Sequence, residues 1–141
     1  ETGNFNNIYT AINSLKAERI GHGVSAIHDK DLCDFLIKED IPLEICLSSN
    51  FQTNIVEDIN SHPIKSFIDY GVPVTLNTDN LTVSNTDLIN EYSILSDVIK
   101  FSDEQIVKIM KDTIKYSFAS AYIKQRILEE FNKVANNFKL I

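Results

Sequence analysis

The chain has 141 residues, enough for one domain, and 43% of them are hydrophobic while 23% are charged, as in ordinary globular proteins. Its formal net charge of −7 argues against a nucleic-acid backbone or an anionic membrane surface as a partner, and its apolar stretches are too short to span a bilayer. Cys33 and Cys46 show neither a CxxC pair nor zinc-finger spacing. We therefore expect buried free thiols in a reducing, cytoplasmic compartment.

The first part of the chain predicts short helices that alternate with short apolar strands. The pattern first predicts a helix over 6–16 capped by Asn6 or Asn7, followed by a strand over 19–21. A helix opened by Asp29 then leads to a strand over 42–47 and a polar loop over 48–54. A third helix is begun by Ser61-His62-Pro63 and ended by Gly71, and a strand over 72–76 follows it. Such alternation is typical of a parallel sheet with helices on its faces.

Beyond Asn80 the pattern predicts helices only, over 87–100, 103–117 and 124–138. Ser102 and Gln105 form a capping box for the middle one, and we expect the apolar stripe of the last to pack in a core. Three strands are too few for a closed (β/α)8 barrel, which takes roughly 250 residues. The chain also begins without methionine. We therefore expect an α/β fold, the C-terminal part of a TIM-like (β/α)8 barrel, with residues 1–141 forming the C-terminal portion of a single barrel domain.

Two side chains at predicted strand ends could carry chemistry. His22 lies between Gly21 and Gly23, and Asp79 follows the buried strand over 72–76. In α/β proteins the carboxyl ends of strands hold the active site. A metal or acid/base site is one interpretation; a histidine bonded to backbone and an aspartate that caps the next segment is the other.

Named stretches resemble motifs of the adenosine deaminase family of zinc hydrolases, in order and spacing, over essentially the whole chain. Glu1-Thr2-Gly3-Asn4 resembles the end of the family's His-Ala-Gly-Glu motif, and Arg19-Ile20-Gly21-His22-Gly23 resembles its Gly-His-Gly motif. Leu43 to Asn50 resembles its seventh strand, and Asn77-Thr78-Asp79 resembles the Asn-Thr-Asp motif on its eighth strand. Tyr116-Ser117-Phe118-Ala119 resembles part of its C-terminal tail.

The resemblance implies hydrolytic deamination of adenosine or deoxyadenosine to inosine or deoxyinosine and ammonia, in purine salvage. Asp79 would be a ligand of one zinc ion, and zinc lowers the pKa of a bound water to provide hydroxide near neutral pH. His22 would orient that hydroxide and can take its proton. Glu1 would donate a proton to purine N1, which requires a raised pKa. The implied partner is a purine nucleoside, with neither nucleic acid nor membrane.

Asn80 departs from the commonest family pattern, in which a second aspartate contacts purine N7. N7 only accepts hydrogen bonds, so an aspartate must be protonated to donate to it, whereas an asparagine amide donates at any pH. We therefore expect Asn80 to bind the purine with less pH dependence than an aspartate would.

The zinc-binding histidines of the family, two in a His-x-His motif and one that begins His-Ala-Gly-Glu, are absent from this chain. A lone carboxylate holds zinc poorly, so we expect the isolated chain to be inactive, with the missing N-terminal half of the barrel as its partner. Two other interpretations stay open: a deaminase of adenine, AMP or another aminopurine, and a truncated, non-catalytic structural or interaction protein. We expect His28 and His62 to be surface or capping residues, and we assign Glu44 no role. Ser48, Ser49 and Asn50 could contact substrate, but hydrogen bonds that stabilise a turn are the favoured role.

Overall fold

The computed structural model describes residues 4–137, and their fold is built on a small parallel sheet. Its strands are β1 (Ile20–Gly21), β2 (Leu43–Ile45) and β3 (Val74–Leu76), in the order β1-β2-β3. The helices are α1 (Phe5–Leu15), α2 (Lys30–Lys38), α3 (Leu47–Gln52), α4 (Ile64–Tyr70), α5 (Leu81–Ser84), α6 (Leu88–Ser93), α7 (Asp103–Tyr116) and α8 (Ala121–Asn137). Short 3-10 turns lie at Val24–His28 and Ile59–Ser61, and a π-helical turn at Ile94–Val98 follows α6. The predicted α/β class is confirmed.

The two faces of the sheet differ. Leu43 and Ile45 of β2 are fully buried, as are the side chains of α2 and α4 that belong to the same core, Leu36 and Phe67. Because side chains alternate along a strand, Glu44 lies on the opposite face, beside Thr75 of β3. In a barrel this second face is the interior, so Glu44 belongs to the interior side.

Several predicted helix ends are confirmed by their caps. The Asp29 side chain accepts a hydrogen bond from Leu32 N at 2.9 Å, Gly71 ends α4 at φ 97°, and Ser102 and Gln105 form the predicted capping box. The cap predicted for the first helix is wrong. That helix begins earlier, at Phe5, and Asn4 caps it by accepting a hydrogen bond from Asn6 N.

The polar loop predicted over 48–54 is also wrong, since most of it is α3. Asn50 N donates to Cys46 O at 2.8 Å, a helical bond, and Ser48, Ser49 and Asn50 are all buried. Polar composition indicated solvent exposure, but these side chains find polar partners inside the protein. A further short helix, α5, was not predicted.

The C-terminal helices differ in detail from the prediction. The π-helical turn replaces regular helix after Ser93, and α8 begins at Ala121 rather than at 124. The stripe of α8 is only partly packed, with Ala135 buried but Ile127 and Val134 about half exposed, at 48% and 55%. The prediction that this stripe is core is therefore wrong for those residues. Within residues 4–137, no helix is both long enough and apolar enough to cross a membrane.

Candidate active site

The carboxyl ends of β1 and β3 bring His22 and Asp79 together. His22 follows β1 directly, and its backbone N–H donates to Glu44 O at 3.0 Å, which continues the pairing with β2. Asp79 lies three residues beyond the end of β3. His22 Nε2 is 3.7 Å from Asp79 Oδ2, and the two side chains are 29% and 44% exposed. The structure thus joins the two side chains that the sequence singled out, and both remain open to a ligand.

Both residues have a left-handed backbone conformation, with φ of 59° for His22 and 55° for Asp79. Residues other than glycine adopt this region seldom, and such strain is concentrated at functional sites. Gly23 continues the turn at φ 68°, and a Cβ there would lie 2.5 Å from Leu43 Cδ2. The second glycine of the motif is therefore required by the tight turn that presents His22 at the strand end.

A buried polar chain supports His22. Asn50 Nδ2 of α3 lies 3.0 Å from His22 Nδ1, and Asn50 Oδ1 lies 3.2 Å from His62 Nε2. His62 Nδ1 in turn accepts a hydrogen bond from Ile64 N at 3.1 Å, at the start of α4. Asn50 is 1% exposed and His62 4% exposed. Burial lowers the pKa of His62 to about 4, so it is neutral near pH 7.

His62 is therefore only partly as predicted. It does cap a helix start, but it is buried rather than on the surface and lies in the chain that leads to His22. His28 is exposed, as expected. The sequence left open a contact of Asn50 with substrate but did not predict that Asn50 and His62 would support His22. The polar run directly after the buried strand β2 marked the position of Asn50 without indicating its partners.

Asp79 is held by one side-chain hydrogen bond, whereas His22 is held by a chain of two buried residues. Ser49 Oγ donates to Asp79 Oδ2 at 2.9 Å, so neighbouring residues of α3 contact the two strand-end side chains. Asn80 is exposed and caps α5, its Oδ1 accepting a hydrogen bond from Val83 N at 2.8 Å. The capping role weighed for Asp79 thus falls to Asn80. With its oxygen bonded to the helix, Asn80 keeps the amide nitrogen as a donor for a ligand.

A fully buried carboxylate, Glu91 of α6, fastens the segment after β3 to α3. Glu91 accepts hydrogen bonds from Ser48 N at 3.3 Å and from Thr86 Oγ1 at 2.8 Å. Asn90 Nδ2 also donates to Thr86 Oγ1, at 2.9 Å. This cluster ties the segment around Thr86 and α6 to α3, the helix whose Ser49 contacts Asp79. Sequence patterns did not predict it.

Glu44 and Arg19 form an ion pair on the interior face of the sheet, with Oε1 and Nη2 2.9 Å apart. Arg19 Nη1 also donates to Tyr116 O at 3.2 Å, and its guanidinium lies 4.1 Å from the centre of the Phe118 ring. Glu44, to which the sequence assigned no role, thus fixes the arginine that ties β1 to the segment between α7 and α8.

The cysteines do not belong to the chemistry of the site. Cys33 and Cys46 are free and buried, as expected. Burial is the main cause that raises the pKa of Cys46 to about 12, so its thiol is protonated and is no nucleophile near neutral pH.

As a metal site the described residues are incomplete. Residues 4–137 contain no group of three His, Cys, Asp or Glu side chains placed to hold one ion. Asp79 fits as a single oxygen ligand, because one Oδ2 contact with Ser49 leaves lone pairs on an exposed carboxylate. Zinc sites use several protein ligands, so this part of the chain does not form one alone. Glu1, the predicted proton donor, lies outside the described residues.

The chain is similar to known deaminases in sequence. A family model described as adenosine deaminase matches residues 1–134. A protein named adenosine deaminase from Clostridium kluyveri is 43% identical over 140 residues, which cover 99% of this chain and 40% of that protein. The chain thus spans about 40% of the length of this curated relative.

Solved deaminase structures also overlay on it. An adenine deaminase from Arthrobacter aurescens matches with a TM-score of 0.92 and 27% identity, over 96% of this chain and 41% of that one. The N6-methyl-AMP deaminase of Arabidopsis thaliana matches with a TM-score of 0.82 and 27% identity, over 95% and 39%. These overlays confirm the predicted fold, part of a TIM-like (β/α)8 barrel.

Proposed function

Because the chain belongs to the adenosine deaminase family, we propose that it supplies the His22–Asp79 side of an active site that deaminates adenosine or deoxyadenosine. Water replaces the amino group at purine C6: a C6–O bond forms, the C6–N bond breaks, and inosine or deoxyinosine and ammonia leave. The 3.7 Å approach of His22 to Asp79 at the carboxyl edge of the sheet carries the proposal. It applies to the complete deaminase, by which we mean the protein that joins this chain to the segments that its relatives have beyond it.

Asp79 is proposed as one ligand of a single zinc ion, with the other ligands outside this chain. Its exposed carboxylate and the Ser49 hydroxyl that orients it support this role, since ligating carboxylates are usually hydrogen-bonded in turn. When bound, zinc acts as a Lewis acid and lowers the pKa of water.

His22 is proposed to orient the attacking water. Its Nε2 is the ring atom that faces Asp79, while Nδ1 faces away, toward Asn50. Glu1 is proposed to donate a proton to purine N1, which increases the electrophilicity of C6; this role is transferred from the family motif alone.

Asn80 is proposed to bind purine N7 through its amide nitrogen. Its oxygen is taken by Val83 N, which leaves the donor end for a ligand atom that only accepts. The role of a small neutral nucleoside as the substrate agrees with the net charge of −7, which disfavours anionic polymers. A reducing, cytoplasmic setting and a place in purine salvage complete the proposal, in line with the two free thiols.

The test is to incubate the zinc-loaded complete deaminase with adenosine and to follow inosine and ammonia, with adenine and AMP in parallel. We expect adenosine to have the highest kcat/KM. Failure to deaminate any of the three by a folded, zinc-loaded protein would contradict the proposal and favour the non-catalytic alternative.

Adenine is the second candidate substrate, because the adenine deaminase structure overlays with a TM-score of 0.92. Sequence favours adenosine instead, since the adenosine deaminase relative is 43% identical and the adenine deaminase 27%. A higher kcat/KM for adenine in the same assay would decide for the second candidate.

A further inference from the structure

We propose that Asn50 and His62 are positioning residues that determine which ring nitrogen of His22 carries the proton. The proposal rests on the proposed function, since it matters for catalysis only if His22 faces the reacting water. Its basis is the buried chain Ile64 N, His62, Asn50 and His22, in which each contact is 3.0 to 3.2 Å long.

The direction of the chain is set at Ile64. A backbone N–H can only donate, so His62 Nδ1, which receives it, must carry a lone pair. His62 is neutral near pH 7 because burial lowers its pKa. A neutral imidazole carries one proton, and with Nδ1 bare that proton is on Nε2.

The next two contacts follow from the first. His62 Nε2–H donates, so the atom of Asn50 that faces it is Oδ1. The other end of the same amide, Nδ2, then faces His22 Nδ1 and donates to it. Neutral His22 therefore accepts at Nδ1 and carries its proton on Nε2, the atom that faces Asp79.

Burial of Asn50 and His62 fixes the donor and acceptor directions in this chain of hydrogen bonds. Asn50 and His62 are almost completely removed from solvent, so a flipped amide would leave buried groups unpaired with no water to satisfy them. The consequence for the reaction is specific. His22 meets the attacking water as an N–H donor that orients its oxygen, and not as a bare nitrogen ready to accept its proton.

A spectroscopic experiment tests the tautomer directly. In the zinc-loaded complete deaminase with 15N-labelled histidine, ring nitrogen shifts distinguish protonated from bare nitrogens, and His22→Gln identifies the signals. We expect His22 Nδ1 to be bare and Nε2 protonated at neutral pH. In Asn50→Asp the carboxylate accepts instead of donating, so the proton should move to Nδ1. A wild-type His22 protonated on Nδ1 would overturn the proposal.

Kinetics test whether the tautomer matters. We expect Asn50→Asp and Asn50→Leu, both close in size to asparagine, to lower kcat about 10- to 100-fold with little change in KM. His62→Gln keeps a donor toward Asn50 and should retain more activity than His62→Leu. Asn13→Ala, on the exposed face of α1, is the matched control and should leave kcat unchanged. An unchanged kcat in folded Asn50→Asp would overturn the proposal.

The two proposals fail in different ways. If the unaltered complete deaminase produces no inosine, the proposed function fails, whereas the 15N spectrum still decides the tautomer. If inosine forms but His22 carries its proton on Nδ1, only the present inference fails. Should the variants not fold, the spectrum of the unaltered protein remains decisive.

Discussion

The two strand ends that form the candidate site are built differently, although both present a side chain from a left-handed residue and both rest on α3. At the end of β1, His22 is held by Asn50 and, through it, by the buried His62. At the end of β3, Asp79 is more exposed and is contacted by Ser49. The His22 side chain is thus held by other described residues of this chain, while the Asp79 carboxylate is left exposed, as its proposed role as a zinc ligand requires.

The largest effect expected from this difference concerns the chain by itself. Residues 4–137 contain no group of three His, Cys, Asp or Glu side chains that would complete a metal site around Asp79, so the isolated chain should bind zinc weakly and show no deamination. The complete deaminase should bind zinc tightly and deaminate adenosine. The outer edges of β1 and β3 and the half-exposed stripe of α8 should also promote aggregation. Zinc titration and an adenosine assay on both proteins check this, and robust turnover by the isolated chain would refute it.

The histidine side should show its own pH dependence through His62. Between pH about 6.5 and about 4 the unfolded chain binds a proton on His62 that the native chain does not, so the free energy of unfolding should fall as the pH is lowered through this range and level off below it. The full loss amounts to roughly 3 kcal/mol. Urea unfolding of the complete deaminase at several pH values measures it.

Two variants separate the contribution of His62 to the pH dependence of the free energy of unfolding from that of other groups. His62→Gln should flatten the pH dependence, while His28→Gln, at an exposed histidine, should retain it. Equal slopes for the two variants would show that His62 does not titrate between the native and unfolded states as described.

A smaller effect is expected at the turn that presents His22. Gly23→Ala should destabilise the protein by roughly 2 kcal/mol, because alanine is strained at positive φ and its methyl would contact Leu43. Gly21→Ala is the matched control within the same motif: its φ is ordinary, and the nearest atom to the added Cβ, Glu44 Oε2, is 4.0 Å away. Urea midpoints of the two variants compare them, and equal midpoints would contradict the account of the turn.

The smallest effect is expected at Asn80. Aspartate is as good a helix cap as asparagine, so Asn80→Asp should keep α5 intact. The substitution should nevertheless make purine affinity depend on pH, with weaker binding as the carboxyl loses its proton. Substrate affinity is measured across pH for the complete deaminase with and without the substitution. Identical pH profiles of affinity for the two proteins would show that Asn80 does not contact the purine.

Sequence patterns predicted most helices and strands because the ends of these elements depend on residues close by in the sequence. Asp29 and Gly71 mark helix ends through their own side chain or backbone freedom, and both are observed in those roles. The α8 stripe shows the limit of such patterns: an amphipathic helix reveals which face is apolar but not whether this chain supplies the surface that covers it.

The site residues also differ in whether local sequence could reveal them. His22 and Asp79 could be found from glycines and strand ends, which are sequence neighbours of the functional groups. Asn50 and His62 could not, because their importance comes from contacts across 28 and 12 positions of the chain. A polar run such as Ser48-Ser49-Asn50 reads as a loop until the buried partners that satisfy it are known.

The most direct test of the whole account is Asp79→Asn in the complete deaminase. Asparagine has the same shape, can keep the hydrogen bond from Ser49 and tolerates a φ of 55°, so the fold should survive while the anionic ligand is lost. Asp69→Asn, at an exposed position of α4, is the control. Zinc content and adenosine turnover are measured together. We expect adenosine turnover to fall to background and zinc content to drop in Asp79→Asn alone; a variant that keeps its zinc and its turnover would contradict the proposed role of Asp79.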